Sequence, residues 1–162
     1  MMNQLTDAIN HSNAIESVPI DTQEWRNHFA VGRAVIIAAS VGQLLHPRVL
    51  HSLLFEGVSI PFTAGEYRNV AVRVGSYLPP KESEIPRLMH DWWIQAEQIS
   101  NPWESHIGFE AIHPFQDGNG RVGRLVMWNK ELLTNVALTV IRYDDRLDYY
   151  TRLETGRIGK GV

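Results

Sequence analysis

Twelve consecutive residues, His113-Pro114-Phe115-Gln116-Asp117-Gly118-Asn119-Gly120-Arg121-Val122-Gly123-Arg124, concentrate most of this chain's capacity for chemistry. Pro114 biases His113 away from helical geometry, so the preceding helix should stop near Ile112 and leave His113 beside a loop. Gly118, Asn119 and Gly120 can form a tight turn in which several backbone N–H groups point at one anion. The helix expected after that turn offers phosphate its free N–H groups and the positive end of its dipole. Arg121 and Arg124, three apart, share a face of its first turn. Asp117 could hold a divalent cation against the same phosphates, since Mg²⁺ commonly binds through one or two carboxylates plus phosphate oxygens. Taken singly, His113 could be a helix cap, Gly-Asn-Gly only a turn and the arginines a solvated face. Their compact order instead describes a polyphosphate site with a base beside it, and Phe115 reads as the core residue that anchors the loop.

The elements that must position this run are mostly helical. From Thr22 to about Leu45 the chain is rich in Ala, Val, Ile and Leu and free of proline, which predicts a long, largely buried helix. Pro47 starts another, with Val49, Leu50, Leu53 and Leu54 at helical spacing. Between Gly57 and Pro80 the pattern changes: Pro61, Gly65, Gly75, Pro79 and Pro80 punctuate it, and valine recurs at alternate positions from Val70 to Val74. This predicts a short β-hairpin or extended flap. Helical spacing resumes over Ile85–Ile99, with Leu88, Met89, Trp92, Trp93 and Ala96 facing the core, then over Pro102–Ile112 and Asn119–Leu133. A last helix is expected from near Asp144, with Leu147, Tyr150 and Leu153 along one face. Residues 156–162, short, glycine-rich and basic, read as a disordered tail.

Composition narrows the function classes. A chain of 162 residues supports one domain with a sizeable core. A net charge of −3 provides no broad basic face for a nucleic-acid backbone. Cysteine is absent, which removes disulfides, thiolate metal sites and thiol nucleophiles. No apolar run approaches the length of a membrane span, and the polar start, Met1 to Asp21, lacks the apolar core of a signal peptide. The expectation is a cytoplasmic protein with neither nucleic acid nor membrane among its partners.

The run from His113 to Arg124 resembles the signature of the Fic (filamentation induced by cAMP) family, His-Pro-Phe-x-Asp/Glu-Gly-Asn-Gly-Arg-x-x-Arg, at every fixed position. The likeness extends outward. His106-Ile-Gly-Phe109-Glu-Ala-Ile112 is similar to the helix that leads into the motif, and Leu50-His51-Ser-Leu-Leu54 with Ala64-Gly65-Glu66-Tyr67-Arg68 to an earlier core helix and turn. Tyr149-Tyr150 resembles a tyrosine pair in the closing helix. The resemblance implies a mainly α fold, a bundle of about six to eight helices with one small β-hairpin flap. It implies a protein adenylyltransferase that moves AMP from ATP to a Tyr, Thr or Ser hydroxyl of a target protein, and it leaves room for a homo-oligomer. In that reading His113 is the general base and Asp117 holds Mg²⁺. Gly118, Asn119 and Gly120 line the anion hole, Arg121 and Arg124 take the β- and γ-phosphates, and Tyr149 and Tyr150 border the nucleotide. The flap, Val70 to Tyr77, would align the target segment by strand-like pairing. Family relatives that phosphorylate carry Ala and Lys where this chain has Gly118 and Gly120, which favours AMP.

Many Fic proteins also carry an inhibitory helix, Ser/Thr-x-x-x-Glu-Gly/Asn, whose Glu pairs with the second motif arginine. Ser52 to Gly57, with Glu56, matches those letters completely but overlaps the core helix around Leu50–Leu54. Ser12 to Ser17, with Glu16, departs only at its last letter and lies ahead of the core helices, so Ser12 and Glu16 are the expected inhibitory residues. The implied layout is an inhibitory segment over 1–20, a core domain over 21–155 and the tail. Two rivals stand beside this reading. His106, Glu110 and His113, at i, i+4 and i+7, could gather the metal of a hydrolase on one helix face. A non-catalytic Fic-fold binding module is the other, although a binder has no need of His113.

Overall fold

The computed structural model describes residues 2–98 and 101–159. The described residues form seven α-helices: α1 (Met2–Ile15), α2 (Gln23–Ser40), α3 (Pro47–Leu54), α4 (Ile85–Glu97), α5 (Pro102–Ile112), α6 (Asn119–Leu133) and α7 (Arg146–Gly159), with a 3₁₀ turn at Glu82–Glu84 ahead of α4. The boundaries follow local chemistry. Pro47 and Pro102 stand in the first turns of α3 and α5, and Asn101 caps α5 by accepting from the Trp103 N–H at 2.9 Å. Helix α2 stops at Ser40, short of the expected Leu45. There Gly42 turns left-handed (φ 75°), and the N–H groups of Gly42 and Gln43 close back on the carbonyls of Ala39 and Ala38, a Schellman stop.

Helix α6 runs through the middle of the molecule, in contact with α1, α2, α3 and α5. Every residue from Arg121 to Glu131 is buried, so each polar group on this stretch needs an internal partner. Asn129 accepts from the Leu45 N–H at 2.8 Å, Lys130 Nζ donates to the Ala96 carbonyl at 2.6 Å, and Glu131 takes both the N–H and the hydroxyl of Thr139. Around them the core closes with Leu5, Ile9, Val35, Leu50, Leu54, Met89, Phe109, Phe115, Leu125 and Trp128. Helix α1 joins this core through a stripe at helical spacing, Leu5, Ala8, Ile9, Ser12 and Ile15. It lies so close to α2 that a Cβ on Gly32 would come within 2.6 Å of Ile9 Cδ1.

Three expectations need correction. The hairpin is reduced to a single antiparallel bridge, Val74 with Tyr77, around a left-handed Gly75, and no strand forms among the described residues. Val70 and Val72 alternate as strand residues do, yet no neighbouring strand pairs with them. On α7 the buried face is Tyr149, Leu153 and Arg157, whereas Leu147 and Tyr150 are exposed. Finally, α7 continues through Gly159 where a disordered tail was expected from Gly156. Gly156 lies against Ile107, 2.8 Å from a Cβ position, so this glycine permits helix packing instead of ending the helix. The rest of that expected tail, 160–162, lies outside the described residues.

Candidate functional site

The motif folds as a loop between α5 and α6. His113 ends α5 in the left-handed region (φ 50°, ψ 61°), its N–H returning to the Phe109 carbonyl at 2.9 Å. This conformation is uncommon for a residue bearing a Cβ and more so before proline, which favours extended backbone. Strain of about 1–3 kcal/mol is typical of such a residue and persists only where surrounding contacts over-determine it. Arg68 supplies those contacts: its Nε donates to the His113 carbonyl and its own N–H to that of Pro114, both at 2.8 Å. The same guanidinium reaches the carbonyls of Val70 and Pro80, tying both ends of the flap to the motif loop.

Asn119 clamps the other side of the loop. Its side chain accepts from the Phe115 N–H and donates to the Phe115 carbonyl, each at 2.9 Å. The carbonyl oxygen and one N–H of the amide are thus committed to the loop. His51 stacks on Phe115 (ring centroids 4.0 Å apart) and accepts from the Gly65 N–H at Nδ1, so its proton is on Nε2, which faces the Asp117 carbonyl at 3.2 Å. Burial pulls the pKa of His51 down to about 4, which keeps the ring neutral. Gly118 caps α6 at φ 77°, and a Cβ there would come within 2.7 Å of Phe55. The first backbone bond closing α6 is Val122 N–H to Gly118 C=O, so the N–H groups of Asn119, Gly120 and Arg121 find no partner inside the helix. The Asp117 side chain, 63% exposed, accepts from the Gly118 N–H at 2.6 Å.

The two arginines diverge. Arg121 turns to α2, pairs with Glu24 and lies over the Phe55 ring. Arg124 is fully buried and bonded on every side: Nε to Ser12 Oγ at 2.8 Å, Nη2 to Glu16 Oε1 at 2.7 Å and to the Ser12 carbonyl at 3.2 Å, Nη1 to the Tyr149 hydroxyl at 3.0 Å. Burial opposes its charge, but Tyr149 and Glu16 outweigh that and raise its pKa further. Burial likewise pushes Tyr149 up, so its phenol stays protonated and also reaches His106 Nε2 at 3.0 Å. His106 is neutral, its pKa drawn by burial down to about 4. Gly120 adjoins this group, for a Cβ there would collide with the Glu16 carboxylate.

Beside this group lies a cleft of about 620 Å³ lined by His113, Glu110, Gly120, Glu16, residues 74–77 of the flap and one face of α7 that includes Tyr149 and Tyr150. Residues 44–129, just over half of the chain and including the whole loop, α5 and most of α6, match the sequence model described as the Fic/DOC family. The chain belongs to the Fic/DOC family. It is similar to the protein adenylyltransferase Fic of Nematostella vectensis (35% identical over 123 residues, 71% of this chain and 27% of that protein) and of Culex quinquefasciatus (32%, 71% and 23%). The chain thus spans about a quarter of the length of these curated relatives. Among solved structures it resembles a Fic domain containing signaling protein from Bacteroides thetaiotaomicron (TM-score 0.78, 20% identity, 93% of this chain and 70% of that one). It also resembles a Fic family protein from Desulfovibrio desulfuricans (TM-score 0.69, 30% identity, 95% and 57%).

Of the residues the Fic signature singles out, His113, Gly120, Tyr149 and Tyr150 border one cleft, and Glu16 meets Arg124 at its edge. Glu56 is exposed at the end of α3, away from that lining. His106, Glu110 and His113 do not form a metal-ligand set: His106 turns to Tyr149, and no three His, Asp or Glu side chains gather for a metal among the described residues. Sequence reasoning overlooked Glu24, Glu154 and Arg157, and gave Arg68 no role. Arg157 lies over the Tyr77 ring, and the Tyr77 hydroxyl donates to the Ala111 carbonyl at 2.7 Å, so α7, flap and α5 meet at the cleft. The one available signal was an arginine and an aromatic inside a segment otherwise rich in glycine, proline and valine.

Proposed function

We propose that this chain is a protein adenylyltransferase that moves AMP from ATP to a Tyr, Thr or Ser hydroxyl of a target protein. The observation that carries this reading is the strained His113 in one cleft with Gly120, at the α6 N-terminus where three N–H groups lack a helical partner. Such transfer depends mainly on positioning and charge neutralisation, with one base to activate the nucleophile. His113 takes the hydroxyl proton, the oxygen bonds to the α-phosphorus, the bond to the bridging oxygen of the β-phosphate breaks, and pyrophosphate leaves. The N–H groups of Asn119, Gly120 and Arg121 and the dipole of α6 stabilise the charge on the phosphate oxygens. Arg124 serves the outer phosphates once the Glu16 carboxylate releases it, while Ser12 and Tyr149 keep it oriented.

Asp117 suits Mg²⁺: a single exposed carboxylate beside the anion turn matches a cation that keeps several waters and shares its ligands with phosphate. Bound there, Mg²⁺ would neutralise phosphate charge. The flap supports strand-like docking of a target segment, since its backbone from Asn69 to Arg73 pairs with no neighbouring strand.

Autoinhibition by Glu16 is part of the proposal. Its carboxylate occupies the Arg124 guanidinium that a γ-phosphate would need, and α1 keeps it there through Ser12. The test is mass spectrometry of a lysate incubated with ATP, Mg²⁺ and the Glu16→Gly variant. An AMP adduct on a hydroxyl side chain is the expected outcome, and its absence from every protein, this chain included, rejects the activity.

A further inference from the structure

Glu110 is a buried acid with almost nothing to bond to. It is 4% exposed, and its Oε1 has no hydrogen-bond partner. Its Oε2 lies 3.6 Å from His113 Nδ1, itself buried without another partner. Glu131, another buried acid, differs: it satisfies its carboxylate on Thr139 and ties the chain after α6 to the helix. Glu110 ties nothing together, yet a buried carboxylate costs several kcal/mol unless it is compensated. Burial pushes its pKa up, but the contact with His113 and the nearby positive charge of Arg124 outweigh that and leave it below the usual carboxylate range.

The site also makes room for this acid. A Cβ on Gly123 would come within 2.8 Å of Glu110 Oε1 and 2.7 Å of His106 Nδ1, so α6 lacks a side chain where the carboxylate sits. The groups facing it are His106 and His113 from α5, Arg124 from α6 and Tyr149 from α7. His106 is already engaged with Tyr149, and Arg124 with Tyr149, Ser12 and Glu16. His106 and His113 each keep a buried Nδ1 without a hydrogen-bond partner, and of the two it is His113 Nδ1 that pairs with the carboxylate, at 3.6 Å.

We propose that Glu110 is the positioning residue of the base, holding the proton of neutral His113 on Nδ1 so that Nε2 keeps its lone pair for the cleft. This rests on the base role given to His113 above. A base must present an unprotonated nitrogen to the hydroxyl, and which nitrogen is free is set by the hydrogen bond the other one makes. As the hydroxyl proton arrives on Nε2, the ring becomes an imidazolium carrying a proton on each nitrogen, and the Glu110 carboxylate balances its charge without taking either. The 3.6 Å separation is slightly longer than a hydrogen bond, as catalytic contacts often are before substrate tightens them. At i, i+3 on the last turn of α5, a small rotation of either side chain closes it.

The experiment uses the full chain in a Glu16→Gly background, with and without Glu110→Gln, compared at the same pH. Glutamine keeps the shape and removes a buried charge, so folding should survive, and thermal melting with ATP binding verifies it. The ¹⁵N chemical shifts of the His113 ring, read at mildly alkaline pH, report which nitrogen carries the proton. With Glu110 in place the expected result is a single Nδ1–H tautomer. The Glu110→Gln variant should show a mixed or Nε2–H ring, a kcat lower by ~10²–10⁴-fold and a KM for ATP within about twofold. An unchanged tautomer, or an unchanged kcat in the folded variant, overturns the proposal. Full transfer by His113→Ala would instead overturn the base role itself, while leaving the tautomer result readable.

Discussion

Replacing Glu16 by glycine should free Arg124 and raise AMP transfer. The variant loses one charge-assisted hydrogen bond, Glu16 Oε1 to Arg124 Nη2 at 2.7 Å, and leaves the other three contacts of the guanidinium in place. Hydrogen bonds to charged groups contribute about 1.5–3 kcal/mol when buried. The Glu16 side chain is 31% exposed, so solvent screens it and the lower part of that range applies. At about 1.4 kcal/mol per factor of ten, freeing Arg124 should raise AMP transfer about 10–50-fold. Because Ser12 and Tyr149 still orient Arg124, the gain should appear with no loss of fold. The assay is self-modification with labelled ATP and Mg²⁺, run beside Glu56→Gly, whose side chain is exposed and pairs with neither arginine. Activation by the Glu56 change alone, or rates within about twofold of wild type for both, would refute the assignment of the brake to α1.

Other consequences follow from the same geometry. His113→Ala should lower transfer by ~10²–10⁴-fold, the usual contribution of a general base, while isothermal titration still detects ATP binding. Arg124→Ala should weaken ATP binding and also loosen α1, seen as faster proteolysis within residues 2–20, since Ser12 and Glu16 both lose their partner. Acid should unfold the chain early. The depressed pKa values of His51 and His106, about 4 against 6.5, mean that the unfolded state binds more protons between those values. Their stabilisation is complete above about pH 6.5 and is lost as pH falls towards 4, by about 2 kcal/mol each at about pH 5. Chemical denaturation across that interval should therefore show stability rising with pH, and a flat profile would contradict the neutral, buried state of both rings.

The helices around the motif were legible because proline and glycine punctuate them. Pro102 opens α5, Pro114 ends it, and Gly118 opens α6. The flap was not, because valine at alternate positions signals a strand only where a second strand is present to pair, and here Arg68 fastens the segment instead. The buried face of α7 was misread by one residue, since Tyr149 and Tyr150 are equally apolar in the sequence and only Arg124 and His106 decide which turns inward. Gly156 looked like a breaker for want of Ile107, which lies on another helix. The partners of the arginines were beyond local pattern: Glu24 is 97 residues from Arg121, and Glu16 is 108 from Arg124. The His113 to Arg124 loop could be read because its chemistry is local, whereas what surrounds it is assembled by tertiary packing.

The central claim is that His113 directs AMP, and not phosphate, onto a protein hydroxyl. Glu16→Gly protein incubated with Mg²⁺ and ATP labelled at either the α- or the γ-phosphate, with and without the His113→Ala change, tests it most directly. Protein-bound label is expected from α-labelled ATP alone, and is expected to be lost with His113. Label transferred from the γ-phosphate, or α-label that persists without His113, would contradict it.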